Sequence, residues 1–326
     1  MGHRSEYRKA PVAAGARLDW MLVPERVRSE LETRVGSSIV SAQSQLSGFS
    51  PGAASRLQTA NGRRFFAKAV GPEPSPDSPL FHRRESRVLA AFPEGLPVAK
   101  LLWVFDEGDE GWVLLLFEDI EGWHPAEPWQ DEELSRVLEA IAALSSSLTP
   151  VPESLAHLER AESDKLFTNQ WWQQISLDPP PLLDRWSRRY LDCLIELERH
   201  APESVVGESL VHSDIRADNV LLTEDRVMIV DWAHARIGAG WIDLLCFFPS
   251  VAMQGGPDLE QLFVQHPLGR TADPAEVNAA LTAITGYLTY NEHQPEPPAL
   301  PGLRSFQAAQ GVEARRWLAT RLGLES

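Results

Sequence analysis

Residues 210–232 contain the side chains best suited to chemistry. His212, Asp214 and Asn219 form the pattern His-x-Asp-x4-Asn, and Asp231 stands twelve positions further on, at the end of an apolar run. Phosphoryl transfer depends mostly on positioning and on neutralisation of charge by Mg²⁺, which takes oxygen ligands. A further carboxylate has to orient the acceptor hydroxyl and take its proton. The spacing therefore predicts Asp214 as the base, and Asn219 and Asp231 as ligands of Mg²⁺.

The sequence around these residues supports that interpretation. Two short strand-like runs, Val220–Leu222 and Val227–Val230, are separated by a polar turn and predict a hairpin that leads into Asp231. From composition alone, the pattern His-x-Asp-x4-Asn arises by chance in on the order of one such chain in a hundred. The hairpin lowers that chance several-fold, so the motif is a strong signal.

Strand patterns dominate the first third of the chain. The order of three strands, one helix and two strands predicts a small α+β lobe over residues 36–119. Residues 1–35 are predicted to form an N-terminal extension, with a helix that begins at Pro24 and ends at Gly36. The predicted strands are Ile39–Leu46, Ala54–Thr59, Arg63–Val70, Ala99–Phe105 and Trp112–Phe117, and the predicted helix is Leu80–Phe92.

Helical periodicity prevails beyond residue 120. Apolar residues recur there at i, i+3 and i+4, which predicts a second, mainly helical lobe over residues 120–326. The catalytic motif interrupts this lobe with its short hairpin. The predicted helices are Glu132–Leu148, Ser163–Ile175, Leu182–His200, Ile242–Phe248, Ala275–Tyr290 and Arg304–Leu322.

Composition and charge exclude several classes of protein. The chain is 43% hydrophobic and 23% charged, as globular proteins are, and its longest apolar runs of about five residues are too short for a membrane span. Two cysteines cannot form a disulfide framework or a zinc site, and no apolar signal segment is evident, so we expect a cytoplasmic protein. The formal charge of −16 argues against nucleic-acid or anionic-membrane partners and favours a cationic ligand, although it also serves solubility.

The motif resembles the catalytic loop and metal-binding segment of the aminoglycoside phosphotransferase family, small-molecule relatives of the protein kinases. Trp232-Ala233 stands where protein kinases have Phe-Gly, and no Ala-Pro-Glu segment follows, which favours the small-molecule branch. The resemblance covers residues 36–250. It implies a protein-kinase-like bilobal α+β fold with a small β-rich N-lobe and a larger helical C-lobe, and it implies ATP and Mg²⁺ as cofactors, with GTP as an open alternative.

The resemblance places the nucleotide phosphates against the N-lobe. Lys68 lies in the third strand, where the family has a lysine on the α- and β-phosphates, and Glu85 on the next helix is expected to pair with it. Gly48 and Gly52 lie in a turn that would cover the phosphates. Pro51 removes one N–H donor from this turn, however, and an ordinary β-turn explains the segment equally well.

The resemblance also implies a hinge and two supporting residues. In the hinge, the main chain of Glu118 and Ile120 would bind adenine, and Phe117 would back the pocket. Asp243 would hold the catalytic-loop backbone, and His212 is expected to be a buried, hydrogen-bonded side chain. Arg216 and Asp218 could form a local ion pair or contact substrate, and the sequence does not decide between these.

The acceptor is a small molecule with a hydroxyl group. Carboxylates at 121, 127 and 131–133 could bind the ammonium groups of an aminoglycoside or another cationic antibiotic. Such an acceptor would imply a role in antibiotic resistance. The same acids also suit the start of a helix. Six tryptophans could stack on the acceptor, although most are expected in the core. A metabolic kinase acting on choline, an amino alcohol or a sugar is the alternative, as is a catalytically silent nucleotide-binding module. A monomer or a homodimer is expected.

Overall fold

The first third of the chain folds into a five-stranded antiparallel sheet. The computed structural model describes residues 9–11, 17–45, 48–73, 75–298 and 300–325. All five predicted strands are present with ends shifted by one or two residues, and position 46, the predicted end of the first, lies outside the described residues. The strands are β1 (Ile39–Ser44), β2 (Ala53–Thr59), β3 (Arg64–Val70), β4 (Leu101–Asp106) and β5 (Val113–Glu118), in the order β1-β2-β3-β5-β4.

The two faces of this sheet have different neighbours. Because side chains alternate along a strand, Ala67 and Ala69 of β3 join Leu114 and Leu116 of β5 in a core on one face. The opposite face carries Val113, Leu115 and Phe117 of β5 and Phe66 of β3. Lys68 shares the face of Phe66, so the pleat of β3 directs it towards the second half of the molecule.

The rest of the chain is mainly helical, as predicted. A second core cluster centres on the helix that follows the catalytic motif, in which Phe247 and Phe248 are fully buried. None of the described helices is both long and apolar enough to cross a membrane. The helices are α1 (Glu25–Val35), α2 (Ser78–Ala90), α3 (Asp131–Ser147), α4 (Lys165–Thr168), α5 (Trp171–Leu177), α6 (Arg185–Glu198), α7 (Ala201–Ser204), α8 (Ile242–Met253), α9 (Leu259–Gln265), α10 (Pro267–Arg270), α11 (Pro274–Glu292) and α12 (Leu303–Leu322).

One helix prediction was wrong. The segment predicted as one helix over 163–175 is broken into α4 and α5, because Gln170 adopts a left-handed conformation with φ of 49°. The carboxylate of Glu198 accepts hydrogen bonds from the amides of Trp171 and Trp172 at 2.8 Å each and so satisfies the start of α5. This partner lies 26 or more residues away in sequence, so helical periodicity alone could not reveal the break.

Four short strands support the catalytic motif. The predicted hairpin is present as β7 (Val220–Leu222) and β8 (Val227–Ile229), while a second pair, β6 (Ser209–Val211) with β9 (Arg236–Gly238), was missed from the sequence. Runs of three residues carry too little periodicity to be recognised. The two pairs fix both ends of the stretch from His212 to Asp231.

The N-terminal extension packs against the sheet. As predicted, helix α1 begins after Pro24 and stops at Gly36. Gly36 adopts φ of 66°, the left-handed conformation common at helix ends. Val27 and Leu31 are fully buried, and Trp20, in a short 3₁₀ helix before α1, is only 2% exposed. These side chains complete the core on the sheet face opposite Lys68.

Candidate active site

The backbone of the catalytic loop is held by one buried carboxylate. Asp243, in the first turn of α8, accepts hydrogen bonds from the amides of His212 at 3.0 Å and Ser213 at 2.7 Å. Ser213 has φ of 64°, a left-handed conformation that costs a residue with a Cβ about 1 kcal/mol or more. The contact predicted for Asp243 is therefore present, and it stabilises a strained turn immediately before Asp214.

His212 is a structural side chain, as its position in the motif suggested. It is fully buried and packs against the Trp232 ring at 4.7 Å between centroids. Its Nδ1 lies 3.2 Å from the amide of Asp214, which can only donate, and its Nε2 lies 3.0 Å from the carbonyl of Val230, which can only accept. A neutral imidazole with the proton on Nε2 satisfies both contacts, so His212 ties the loop to β8.

Asp214 is restrained by two neighbours from its own loop. Its Oδ1 lies 2.5 Å from Nη1 of Arg216, and its Oδ2 lies 3.3 Å from Nδ2 of Asn219, which also donates to the Asp214 carbonyl at 2.8 Å. Arg216 also pairs with Asp218 at 2.8 Å. The local ion pair of Arg216 and Asp218, one of the two possibilities left open by the sequence, is therefore present, and Arg216 bridges two acids inside the loop. The Asp214 carboxylate remains 29% exposed.

Lys68 joins three separate elements. Its Nζ lies 2.8 and 2.9 Å from the two carboxylate oxygens of Glu85 on α2, so the predicted ion pair is present. The same Nζ lies 3.0 Å from Oδ1 of Asp231, after β8. Glu85 is 2% exposed, Lys68 15% and Asp231 39%, so the most accessible carboxylate is the one that faces the cleft.

Burial and charge act against each other in this group. Burial by itself lowers the pKa of the Lys68 ammonium, but the carboxylates of Asp231 and Glu85 outweigh it and raise that pKa. Burial raises the pKa of Glu85 to about 6 in spite of Lys68. For Asp231, burial is outweighed by Lys68, which holds its pKa well below the ordinary value. Asp231 is therefore ionised at neutral pH.

The donor set at this point fits Mg²⁺. Asp231 has φ of 71°, an unusual backbone conformation that turns the residue out of β8. Its ionised carboxylate and the carboxamide oxygen of Asn219 are hard oxygen donors, and the Asn219 amide nitrogen is already engaged by Asp214. In the described part of the chain, no group of three or more His, Cys, Asp or Glu is placed to hold a metal ion. Two protein oxygens completed by phosphate and water match the requirements of Mg²⁺.

The glycine-containing turn lies against the same cleft. Gly48 has φ of 88°, which favours glycine. Gly52 has no room for a side chain, since a Cβ there would lie 2.6 Å from the carbonyl oxygen of Ala69 and 2.9 Å from Cβ of Val70. Position 47 of the predicted turn lies outside the described residues. The two glycines thus allow the turn to approach β3 and the cleft closely.

The predicted hinge forms the other end of the cleft. Phe117 is 3% exposed, and its ring centroid lies 5.8 Å from Nζ of Lys68. Glu118 and Ile120 line the cleft next to it, and the Ile120 carbonyl accepts a hydrogen bond from Arg56. Apolar side chains from both halves of the molecule complete this end of the cleft: Ala54, Phe66, Leu89, Ala99, Leu221 and Val230. This end of the cleft is therefore lined mainly by apolar side chains.

The acidic segment after the hinge has a local function. Glu133, in the first turn of α3, binds the indole of Trp123 at 3.0 Å and the amide of Ala126 at 2.7 Å. Of the six tryptophans considered for acceptor binding, Trp129, Trp171, Trp172 and Trp241 are buried in the core, as expected for most of them. Trp123 is 45% exposed. Asp131, Glu132 and Glu133 lie in the first turn of α3, which agrees with the alternative role of these three acids at a helix start.

Several residues that line the cleft were not recognised from the sequence. Arg17, from the N-terminal extension, and His124, after the hinge, belong to no recognised motif. His124 is positioned by its Nδ1, which lies 2.9 Å from the carbonyl of Val220. Only the packing of the extension on the sheet brings Arg17 into the cleft, so no pattern in the sequence could have indicated it.

Solved structures with the same fold include small-molecule kinases. The choline kinase LicA from Streptococcus pneumoniae aligns with a TM-score of 0.59 and 16% identity, covering 91% of this chain and 99% of that one. The aminoglycoside phosphotransferase APH(4)-Ia, solved with ADP and hygromycin B, aligns with a TM-score of 0.60 and 15% identity, covering 90% and 98%. An aminoglycoside phosphotransferase from Alicyclobacillus acidocaldarius aligns with a TM-score of 0.54 and 18% identity, covering 87% and 92%.

These alignments show that the chain has the protein-kinase-like α+β fold. Among curated proteins, no sequence matches the chain significantly. The profile of the phosphotransferase enzyme family matches residues 45–279, which include four of the five strands of the sheet, the hinge and the whole catalytic loop. The chain therefore belongs to the phosphotransferase enzyme family and is an enzyme that transfers a phosphoryl group to a hydroxyl group of a small molecule.

Proposed function

We propose that this enzyme transfers the γ-phosphoryl group of ATP to a cationic small molecule, with Asp214 as the catalytic base. The observation that carries the proposal is the position of Lys68, whose Nζ lies within 3.0 Å of both Glu85 and Asp231. This contact joins the sheet, α2 and the catalytic motif at the base of one cleft. Kinases that act on nucleotide phosphates need this combination of a paired lysine and a metal-binding aspartate.

Each charged side chain has a distinct task in this proposal. Lys68 binds the α- and β-phosphates and is kept in place by Glu85. Asn219 and Asp231 hold Mg²⁺, which when bound supplies positive charge to the phosphoryl oxygens. Asp214 accepts the proton of the acceptor hydroxyl, and Arg216 and Asn219 fix the direction of its carboxylate. Gly48 and Gly52 let the turn approach the phosphates.

The hinge end of the cleft suits an adenine ring. Phe117 and the apolar side chains around it provide the two faces, while the main chain of Glu118 and Ile120 provides the hydrogen bonds. Structures of the same fold were solved with ADP, AMP-PNP and AMP. Because the predicted contacts use the main chain, GTP remains the second nucleotide to be tested.

An aminoglycoside or another cationic antibiotic is the acceptor class that we favour. The chain has a formal charge of −16, which raises the local concentration of cations near its surface. The neighbours include enzymes named for aminoglycosides and for choline, which all carry amino or quaternary ammonium groups. A metabolic kinase for a molecule such as choline is the second candidate, favoured by the likeness to LicA. We place either activity in the cytoplasm, where ATP is available.

The test measures release of ADP from Mg²⁺-ATP, or of GDP from Mg²⁺-GTP, across a panel of aminoglycosides, other cationic antibiotics, choline, amino alcohols and sugars. We expect one cationic acceptor to support turnover that EDTA abolishes and that Asp214→Asn, a variant of the same size, lowers by about 10²- to 10⁴-fold. Turnover only with choline or a sugar would favour the metabolic kinase. Nucleotide binding without turnover on any acceptor would favour the silent module, and no nucleotide binding would refute the proposal.

Resistance is a separate measurement. If the acceptor is an antibiotic in the cell, expression of the wild-type enzyme in a susceptible bacterium raises the minimal inhibitory concentration of that antibiotic, and expression of Asp214→Asn does not. An unchanged inhibitory concentration despite turnover in vitro would contradict a role in resistance.

A further inference from the structure

The N-terminal extension reaches the phosphate end of the cleft at one residue, Arg17. Trp20 and Val23, at most 2% exposed, anchor the extension in the core beside the sheet. Asp19 begins the short helix that contains Trp20 by accepting from the amide of Met21 at 2.8 Å. These contacts determine where residue 17 can lie.

The extension also binds the glycine-containing turn directly. The amide of Leu18 donates to the carbonyl of Gly52 at 3.3 Å, which places Arg17 beside the turn. A Cβ added to Gly48 would lie 2.8 Å from Nη2 of Arg17 and 3.6 Å from a carboxylate oxygen of Asp218. The guanidinium therefore lies against the backbone that is expected to cover the phosphates.

The charges around Arg17 identify which end of the cleft it occupies. It lines the cleft with Lys68, Asp218 and Asp231. Burial lowers the pKa of its guanidinium below the ordinary value, and the nearby carboxylates of Asp231 and Asp218 oppose this shift only in part. An arginine remains charged under these conditions.

The balance of charge shows why a further cation is useful here. Four carboxylates belong to this site. Lys68 bonds to those of Glu85 and Asp231, and Arg216 bonds to those of Asp214 and Asp218. A nucleoside triphosphate adds several negative charges to this group. Arg17 adds positive charge at the same end of the cleft, next to a turn in which Pro51 lacks an N–H donor.

We propose that Arg17 is a nucleotide-binding residue that contacts the β- or γ-phosphate and so completes a phosphate site for which the glycine-containing turn has too few donors. The inference rests on the proposed use of ATP. The guanidinium supplies N–H donors in a planar fork that matches phosphate oxygens. The N-terminal extension is then part of the nucleotide site, although it lies outside the residues matched by the family profile.

The test compares nucleotides that differ only in their phosphates. Affinities of adenosine, AMP, ADP and AMP-PNP are measured by calorimetry in the presence of Mg²⁺ for the full chain and for Arg17→Gln. We expect ADP or AMP-PNP to bind about tenfold or more weakly, the scale of one lost charge-assisted hydrogen bond, with adenosine and AMP within about twofold. Arg17→Lys should restore part of the affinity, because it keeps the charge and loses the fork.

Arg34→Gln is the matched control, because Arg34 lies on the same extension, is exposed and is in the last turn of α1. It should bind all four nucleotides like the wild type, and thermal unfolding should show that every variant is folded. An equal loss for adenosine and ADP in Arg17→Gln, or no loss at all, would overturn the inference. Tighter binding of AMP-PNP by Arg17→Gln would also overturn it, since Arg17 would then obstruct the site. A wild-type protein that binds none of the nucleotides would refute the proposed function itself.

Discussion

The two loops that enclose the phosphate end of the cleft are built in opposite ways. The catalytic loop contains its own chemistry: Asp214, Arg216 and Asn219 bond to one another within six residues. The turn at residues 48–52 contributes two glycines and receives its support from outside, through Leu18 and Arg17. A site can thus combine a segment that encodes its function locally with one that depends on a distant part of the chain.

Asp243 offers the largest effect on the catalytic side of this comparison. Replacement by Ala leaves the buried amides of His212 and Ser213 without their acceptor, at a cost of about 1–3 kcal/mol each in the free energy of unfolding. We expect kcat to fall by about a hundredfold, because the strained turn before Asp214 relaxes, while the KM for ATP changes less than threefold.

Asp243→Asn is the milder variant, because it keeps one acceptor oxygen and the side-chain volume. It should lower kcat by about tenfold, and circular dichroism should show that it remains folded. If a folded Asp243 variant raised the KM for ATP as strongly as it lowered kcat, the catalytic loop and the ATP site would not be independent of each other.

Gly48 tests the support of the opposite turn. Gly48→Ala introduces strain at φ of 88° and a Cβ that collides with the guanidinium of Arg17, so we expect the KM for ATP to rise several-fold with little change in kcat. Gly62→Ala is a matched control, since Gly62 has φ of 86° and no atom within 4 Å of the added Cβ. It should lose about 1 kcal/mol of stability and keep its KM. Equal kinetics for the two variants would show that the contact with Arg17 does not matter.

Glu198 should affect stability and leave both loops unchanged. Burial raises the pKa of this carboxyl to about 7 against the backbone hydrogen bonds of Trp172, Trp171 and Gln173, which lower it. A raised pKa favours the protonated folded state, so the stability is greatest below the unfolded value near 4.5 and is lost as pH rises through about 7. The loss is about 2–3 kcal/mol between pH 5 and 8, from the linkage of pKa to stability.

Thermal unfolding of the wild type and Glu198→Gln over pH 5–8 measures this term. The variant should show a flatter dependence of Tm on pH, with kcat and the KM for ATP within about twofold of the wild type at pH 7. A variant with the same slope as the wild type would exclude Glu198 as the source, and Glu292, whose pKa is also raised by burial, would be the next group to test.

A region was predicted well where a local sequence pattern of sufficient length determines its structure. The strands of the sheet, α1 and the hairpin of β7 and β8 were predicted closely because each has a local pattern with a turn or cap residue at its end. The helix over 163–175 was wrong because its break depends on the distant Glu198. The strands β6 and β9 were missed because three residues are too few to show a period.

The sequence by itself determined the reaction class, since spacing within one loop and one hairpin brings Asp214, Asn219 and Asp231 together through local geometry. It also indicated the partnership of Lys68 and Glu85, which the resemblance had implied. The folded chain was needed to reveal that Lys68 contacts Asp231 and that Arg17 lines the cleft. Those contacts join residues far apart in the chain, and their formation depends on how the cores pack, which no local pattern records.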